Sequence, residues 1–515
     1  MYSIVTTAAV CGIESFIVQV EADVCDGLPA FEMVGVLSSE VKEAKERIRS
    51  AIRNIKIKLL PKRVTVNLYP ADLRKTGTGF DLPIAVAVLA AYGYVENDHI
   101  KNTLFVGEIS LNGAIHPVNG VLPITMEAQK TGYKRIVVPK GNEEEAEYIK
   151  GIQIIAVRDL TEALERIKDF ASKKPKHTNK EEKNPSEDVI FDEKTDFRHI
   201  NGQRTLRRAL EVAAAGMHNM LMYGPPGSGK TMAAGALPTI LPPLSEEEEM
   251  ELAKIYSVCG LFEQRKGNRM RPFRNPHHTI TPSALIGGGN LPRPGEISLA
   301  NRGILFLDEL TEFEKRTLET LRQPLEERMI RLVRMSGSFC YPADFLFVGA
   351  MNPCNCGCYP DRNKCACTEA SIKKHLEKLS RPFLERFDLC VEAPKVKWKE
   401  LKETNQNEDS ETIRKRVITV HKIQIERFLN TKISYNSQIP SNQINKYCQL
   451  NREAQEVLQE AFERLDLSAR TYYKTLKLAR TIADLDDKTE ISEQHIYEAL
   501  LYKTMNFQGG TSNDI

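Results

Sequence analysis

Apolar and polar positions change period several times along the chain, and the changes divide it. ESFIVQVEADV (14–24) and RVTVNLYPADL (63–73) alternate and carry β-branched residues, which predicts strands. VKEAKERIRSAIRN (41–54) puts Ala44, Ile48 and Ile52 on one face and predicts an amphipathic helix. LPIAVAVLAAYG (82–93) predicts a more buried helix, and LFVGEISLNGAIHPV (104–118) a hairpin turning at Asn112-Gly113. From about residue 219 the rhythm is strand, glycine-rich loop, helix (NMLMYGPPGSGKTMAAGAL), then two apolar strands ending in polar groups, GILFLDEL and DFLFVGAMNP. Parallel strands with polar groups at their C-terminal ends predict an α/β nucleotide fold. Beyond about residue 395 the pattern turns helical: REAQEVLQEAFERL, SARTYYKTLKLARTIADL and SEQHIYEALLY, the last with Ser492 as N-cap.

A stretch rich in Lys, Glu, Asn and Pro, Ala171 to Glu193, has the composition of a linker. The expected organisation is therefore multidomain: an α+β domain over 1–170, a linker over 171–193, an α/β P-loop core over 194–394 and an α-helical lid over 395–515. Formal net charge is +2, so a nucleic-acid partner has to be argued from local clusters. No apolar run approaches the roughly 20 residues of a membrane span. The N-terminus lacks a basic leader, and Glu14 and Glu21 interrupt it, so the expected compartment is the cytoplasm, without membrane association.

GPPGSGKT matches the phosphate-loop pattern G-x-x-x-x-G-K-[ST]. In it Gly224, Pro225, Pro226, Gly227, Ser228 and Gly229 turn the backbone N–H groups toward a triphosphate. Lys230 reaches the β and γ phosphates, and Thr231 ligates Mg²⁺. ILFLDEL supplies the matching acids, Asp308 for Mg²⁺ and Glu309 as general base toward the attacking water. Asn352 ends the next strand and is expected to hold that water. Arg386, in RPFLERFDL, is the candidate arginine finger toward a neighbouring subunit, with a surface salt bridge as the bland alternative. Arg470 opens a later helix and is expected to reach back to the same nucleotide. His277 and His278 form an adjacent pair read as structural rather than as metal ligands.

Five of the eleven cysteines crowd into MNPCNCGCYPDRNKCACT (351–368). A reducing compartment disfavours disulfides, and no partner acid or His marks a thiol nucleophile. Two Cys-x-Cys pairs, Cys354/Cys356 and Cys365/Cys367, suit a closed structural Zn²⁺ site, with free reduced thiols as the alternative.

The phosphate loop, the DE pair, the Asn after the next strand and the two later arginines resemble an AAA+ ATPase. FRNPHHTITPSALIGGGNLPRPGEISLANRGILFLDEL, LRQPLEERMIRLVR, YPADFLFVGAMNPCNCG and SARTYYKTLKLARTIADL are similar to the YifB/ComM family of magnesium-chelatase-like AAA+ ATPases. The resemblance covers nearly the whole chain. It implies a homo-oligomeric ring, hexameric in the family. For ComM-type members it implies a DNA helicase that promotes branch migration in natural transformation, with single-stranded or branched DNA and recombination proteins as partners. It places Arg386 at the finger position and Arg470 at the sensor-2 position, with Arg381 a second finger candidate. It supports the four paired cysteines and leaves Cys358 as an extra.

By the same resemblance, a hairpin expected before the Asn352 strand points into the ring pore. Arg331 and Val333 share one of its faces, Arg328 and Arg334 flank it, and Ser336-Gly337 turns it. The three arginines are candidate DNA-phosphate contacts, and a solvated charged hairpin is the alternative. GEISLNGAIHPVNGVLPITMEAQKTGYKRIVVPKGNEEEA resembles the proteolytic domain of Lon proteases. Gly79 stands where the serine belongs, however, and GVLPIT carries no lysine, so an acyl-enzyme is excluded. The expected activity is that of an ATP-driven DNA motor. The alternative is a chelatase-type remodelling ATPase acting on a protein partner.

Overall fold

The computed structural model describes residues 1–169, 195–289, 292–334, 337–359, 361, 363–396, 398 and 407–502. The expected linker and Ser336 of the expected turn lie outside these residues. In the N-terminal part, β1 (Tyr2–Cys11), β2 (Glu14–Cys25), β3 (Ala30–Val34), β4 (Arg63–Tyr69) and β5 (Thr103–Phe105) are followed by a short hairpin, β6 (Glu108–Ile109) with β7 (Ile115–His116), and by β8 (Arg135–Pro139) and β9 (Gln153–Val157). Seven of them form one mixed sheet in the order β3-β4-β2-β1-β5-β8-β9. The helix Ser39–Asn54 buries Val41, Ala44, Ile48, Ala51 and Ile52, the stripe its 3.6-residue period demands. All eleven residues of the helix Asp81–Ala91 are buried. Its one carboxylate, Asp81, is held by Arg47 at 2.7 and 2.8 Å, which meets the requirement that a buried charge be paired.

The core contains β10 (Met220–Tyr223), β11 (Phe273–Arg274), a two-residue pair β12 (Gly287–Gly288) with β13 (Arg293–Pro294), β14 (Ile304–Leu307), the hairpin β15 (Met329–Arg334) with β16 (Gly337–Pro342), β17 (Leu346–Met351) and β18 (Leu389–Glu392). Five of these form a parallel sheet in the order β11-β14-β17-β10-β18. Side chains of β14 and β17 are buried throughout, as expected where helices cover both faces. The α/β expectation is met, and the C-terminal ends of β10, β14 and β17 lie side by side.

The N-terminal part docks on the helix Glu246–Val258 of the core by apolar packing around Ala253 and by one buried carboxylate. Glu145 accepts from Ser257 Oγ at 2.5 Å, Asn142 Nδ2 at 2.8 Å and Leu122 N at 3.0 Å. Burial raises its pKa, and these hydrogen bonds oppose the rise.

The C-terminal helices Ser410–Arg427, Arg452–Arg464, Ala469–Leu485 and Glu493–Leu501 pack their apolar faces into the same hydrophobic cluster as β10, β14, β17 and β18. The C-terminal helices therefore share one core with the five-stranded sheet. Two lid side chains cap carbonyls at the end of the helix Arg204–Gly216: His421 Nε2 to Ala214 O at 3.0 Å and Gln424 Nε2 to Ala215 O at 2.7 Å. Burial pushes the His421 pKa down to about 4, with the Ala214 bond opposing it. Between pH 4 and about 6.5 the unfolded chain therefore binds the extra proton, and stability falls as pH falls through that window. The slope for this residue is about 1.4 kcal/mol per pH unit. His421→Gln keeps an N–H for Ala214, so melting temperatures of this variant are expected to vary less between pH 7 and 5 than those of the wild type. An unchanged pH dependence would remove His421 as the cause.

Candidate nucleotide and metal sites

The loop after β10 turns tightly because Gly227 and Gly229 take φ of +71° and +83°, conformations that favour glycine. Gly224 approaches the residue after β18 so closely that a Cβ there would lie 2.2 Å from Ala393 O. The helix Lys230–Ile240 begins at once, so its N-terminal N–H groups face the loop. Lys230 Nζ donates to Gly224 O and Pro225 O, each at 2.9 Å, and lies 3.3 Å from Asn352 Oδ1. Burial lowers its pKa, and Asp308 and Glu309 oppose this. Thr231 Oγ1 donates to Asp308 Oδ2 at 2.6 Å. Four residues from three adjacent strand ends thus converge at one point, as the sequence motifs require.

The Thr231 and Asp308 oxygens form the hard donor pair that suits Mg²⁺, which would neutralise charge on the phosphates. Glu309 sits beside them with φ +50°, in the left-handed region rarely adopted by a non-glycine residue. Its carboxylate lies 3.7 Å from His278 Nδ1, and the His278 ring stacks on His277 at 4.0 Å between centroids. The histidine pair therefore stands next to the proposed base, a placement that the dipeptide alone did not signal. Gln203 was also missed. From a left-handed conformation its amide donates to Ser228 O at 2.8 Å and Pro394 O at 2.6 Å, tying the phosphate loop to the end of the sheet.

The cysteine cluster fits a metal. The four sulfurs of Cys354, Cys356, Cys365 and Cys367 all lie within 4.8 Å of one another, with separations of 3.3, 3.6 and 3.7 Å among the first three. A tetrahedral Zn²⁺ with bonds of about 2.3 Å needs sulfurs about 3.8 Å apart. The backbone N–H of Cys358, followed by the Cys354 thiol, draws the Cys356 pKa down to about 6, whereas the Cys365 pKa is pushed up to about 12, the Cys367 backbone N–H opposing burial and the neighbouring thiols. Cys358 Sγ turns instead to Cys356 O at 3.5 Å and is no part of the cluster.

This loop touches the candidate nucleotide site directly. A Cβ on Gly357 would lie 2.3 Å from Pro226 Cδ, so the cysteine knuckle is packed against the phosphate loop. The backbone of Asn352 is fixed from the other side by His375 Nε2 at 3.0 Å from its carbonyl. Gly357→Ala is therefore expected to displace the phosphate loop and weaken nucleotide affinity at least tenfold in an equilibrium binding titration. Unchanged affinity would show that the contact is not felt.

The arginines are distributed differently from the expectation. Arg386 and Arg470 face one cavity together with Asn219 and Asp388, which precede β10 and β18. Those are the N-terminal ends of the strands, whereas the phosphate loop follows the C-terminal end of β10, about 13 Å away along four residues. Arg470 therefore does not reach back to the nucleotide of its own chain. The lid helix Ala469–Leu485 is anchored at the far end by Lys474, which donates to Glu385 O at 2.6 Å and pairs with Asp388 at 3.5 Å. Burial works against the Asp388 charge, but Lys474 and His218 outweigh it and hold the carboxyl well below the usual range. Arg386 is 7% exposed and paired with Glu326, so it is no surface salt bridge, whereas Arg381 is 82% exposed.

Arg328 also departs from the expectation. It precedes β15 with φ +55°, and Asp344 holds its guanidinium beneath the hairpin. Arg331 and Val333 do share the exposed face, and Arg334 is exposed beyond them, while Ile330 and Leu332 are buried. Phe339 and Tyr341 of β16 lie against Gly12, in the turn between β1 and β2. DNA-facing candidates on the hairpin are thus Arg331 and Arg334, without Arg328.

Three family models cover most of the chain: subunit ChlI of Mg-chelatase over residues 20–142, magnesium chelatase subunit ChlI over 196–401, and its C-terminal region over 407–503. Competence protein ComM of Haemophilus influenzae is 40% identical over 513 residues, spanning 98% of this chain and 97% of that protein. YifB of Escherichia coli is 40% identical over 505 residues, with the same coverage. The chain belongs to the magnesium-chelatase-like family of YifB and ComM. Lon protease 2 of Bacillus subtilis matches 149 residues at 29% identity, 27% of this chain and 26% of that protein.

In this family member, the cleft containing Gly79 is lined by Thr76, Thr78, Glu40 and Glu108, among others, but by no serine and no lysine among the described residues. Also among the described residues, no helix is long and apolar enough to cross a membrane.

Proposed function

We propose that this chain is an ATP-hydrolysing AAA+ motor that assembles as a hexameric ring in the cytoplasm and acts as a helicase on single-stranded or branched DNA. It promotes branch migration in natural transformation and recombination, alongside recombination proteins. The observation that carries the ring is the split of the machinery. Lys230, Thr231, Asp308, Glu309 and Asn352 stand at one end of the sheet, and Arg386 and Arg470 at the other. A phosphate bound at the first end meets those arginines only when a second copy presents them. The name of the ComM relative supports the competence assignment.

Zn²⁺ in the four-cysteine site fixes the loop that presses on Pro226. One zinc per chain is expected by elemental analysis, lost in Cys356→Ser and kept in Cys358→Ser. A metal-free wild type would contradict the site. The N-terminal part is read as a Lon-type fold without its dyad, kept for ring assembly or for partner and DNA binding rather than proteolysis.

DNA contact is assigned to the exposed hairpin arginines. Arg331→Ala with Arg334→Ala is expected to lower affinity for forked DNA and to reduce the slope of log K against log salt by about 2. A chelatase-type ATPase that remodels a protein partner is the reading left standing if wild-type chain shows neither salt-sensitive DNA binding nor DNA-stimulated turnover.

A further inference from the structure

The cavity shared by Arg386 and Arg470 is a partly open cleft of about 600 Å³ between the core and the lid. With Arg328 neutralised by Asp344, its lining carries four cations, Arg386, Arg470, Lys474 and Lys477, against three carboxylates, Glu326, Glu385 and Asp388, an excess of one positive charge that favours an anion. Four buried polar atoms on this lining have no hydrogen-bond partner: Arg386 Nε and Nη1, Ser437 Oγ and Gln438 Nε2. Buried donors are nearly always satisfied in folded proteins, and four orphans around one cavity point to a ligand that accepts from them.

Their orientation is fixed. Gln438 Oε1 accepts from Ser434 N at 2.8 Å, which leaves the amide nitrogen as the free end, and Lys477 Nζ pins Ser437 O at 3.0 Å. The remaining edge of Arg386 is occupied through Nη2 by the Glu326 carboxylate, and Arg470 Nη2 lies 3.9 Å from the same oxygen. A carboxylate bridging two guanidinium groups stands where a phosphoryl group would fit.

We propose that this cavity is a phosphate-receiving site whose donor set is completed by Ser437 and Gln438 of the lid, with the Glu326 carboxylate in the place of the phosphate until one arrives. The proposal rests on the reading that Arg386 and Arg470 serve the nucleotide of an adjoining copy, and it adds three residues to that site. The two sources of such a phosphate are the terminal phosphoryl of that nucleotide and free inorganic phosphate.

The test mixes two full-length variants, Lys230→Ala with its cavity intact and Arg386→Ala with its phosphate loop intact. Each alone is expected to be nearly inactive, and the mixture to hydrolyse ATP. Ser437→Ala with Gln438→Glu, placed in the Lys230→Ala chain, is expected to lower the restored rate about tenfold or more, since Glu keeps the Ser434 bond but removes the donor. Glu326→Gln in the same chain is expected to raise the rate several-fold at sub-saturating ATP. Matched melting temperatures confirm folding.

Restored activity indifferent to all three changes, with no calorimetric binding of inorganic phosphate to the Lys230→Ala chain, overturns the proposal and leaves the ring reading intact. Phosphate binding abolished by the Ser437 and Gln438 changes, without an effect on the mixture, upholds the site with free phosphate as its source. No activity in any mixture overturns the ring reading and the adjoining copy as source.

Discussion

Glu309→Gln is expected to stop ATP turnover, slowing phosphate release by about 10²- to 10⁴-fold, while ATP still binds. The geometry separates the two effects. The carboxylate is 60% exposed and lies 3.7 Å from His278, so its neutralisation costs the fold little. The groups that would hold the phosphates and Mg²⁺ are elsewhere: Lys230 on the loop carbonyls, and Thr231 with Asp308 at 2.6 Å. The amide is isosteric with the carboxylate but accepts no proton from the attacking water. Steady-state phosphate release and a fluorescent-nucleotide titration check the two halves independently. Undiminished hydrolysis would remove Glu309 from the role of base.

Arg386→Ala is expected to reduce turnover by about 10³-fold, the scale of a lost arginine finger, whereas Arg381→Ala is expected to change it less than twofold. Arg386 is buried, and burial and then the nearby Arg470 charge lower its pKa, so the site presents a guanidinium that is poorly hydrated and short of acceptors. Such a group gains strongly from an arriving anion. Arg381 is solvated and makes only a loose pair with Glu385 at 3.7 Å. Equal losses in the two variants would contradict this assignment. A matched melting temperature for Arg386→Ala excludes simple unfolding, since Glu326 is exposed enough to be rehydrated.

Much of the candidate nucleotide site was legible in the sequence because its chemistry is local. A phosphate loop needs its glycines and lysine within eight residues, and buried apolar strands announce their own ends, so Lys230, Thr231, Asp308 and Asn352 could be placed before their distances were known. The paired cysteines were legible for the same reason. What was not legible depends on packing between distant segments. The far-end position of Arg470 follows from the way the lid helix docks through Lys474, a contact 85 to 90 residues away in sequence. Arg328 looks like part of a basic strand until Asp344 is seen to claim it. The pressure of Gly357 on Pro226, 131 residues apart, has no local signature, and the contact of His278 with Glu309 has none either. The strand β1 escaped notice because its TTAA stretch lacks the clean alternation of β2, although all ten of its residues pair with β2.

On the proposed function, ATP hydrolysis in this chain drives movement on branched DNA. Strand displacement from a three- or four-way junction, followed in a gel with ATP, tests it most directly. The wild type is expected to release the labelled strand and Glu309→Gln to release none. Brisk wild-type ATP hydrolysis that neither responds to DNA nor displaces a strand would contradict the claim.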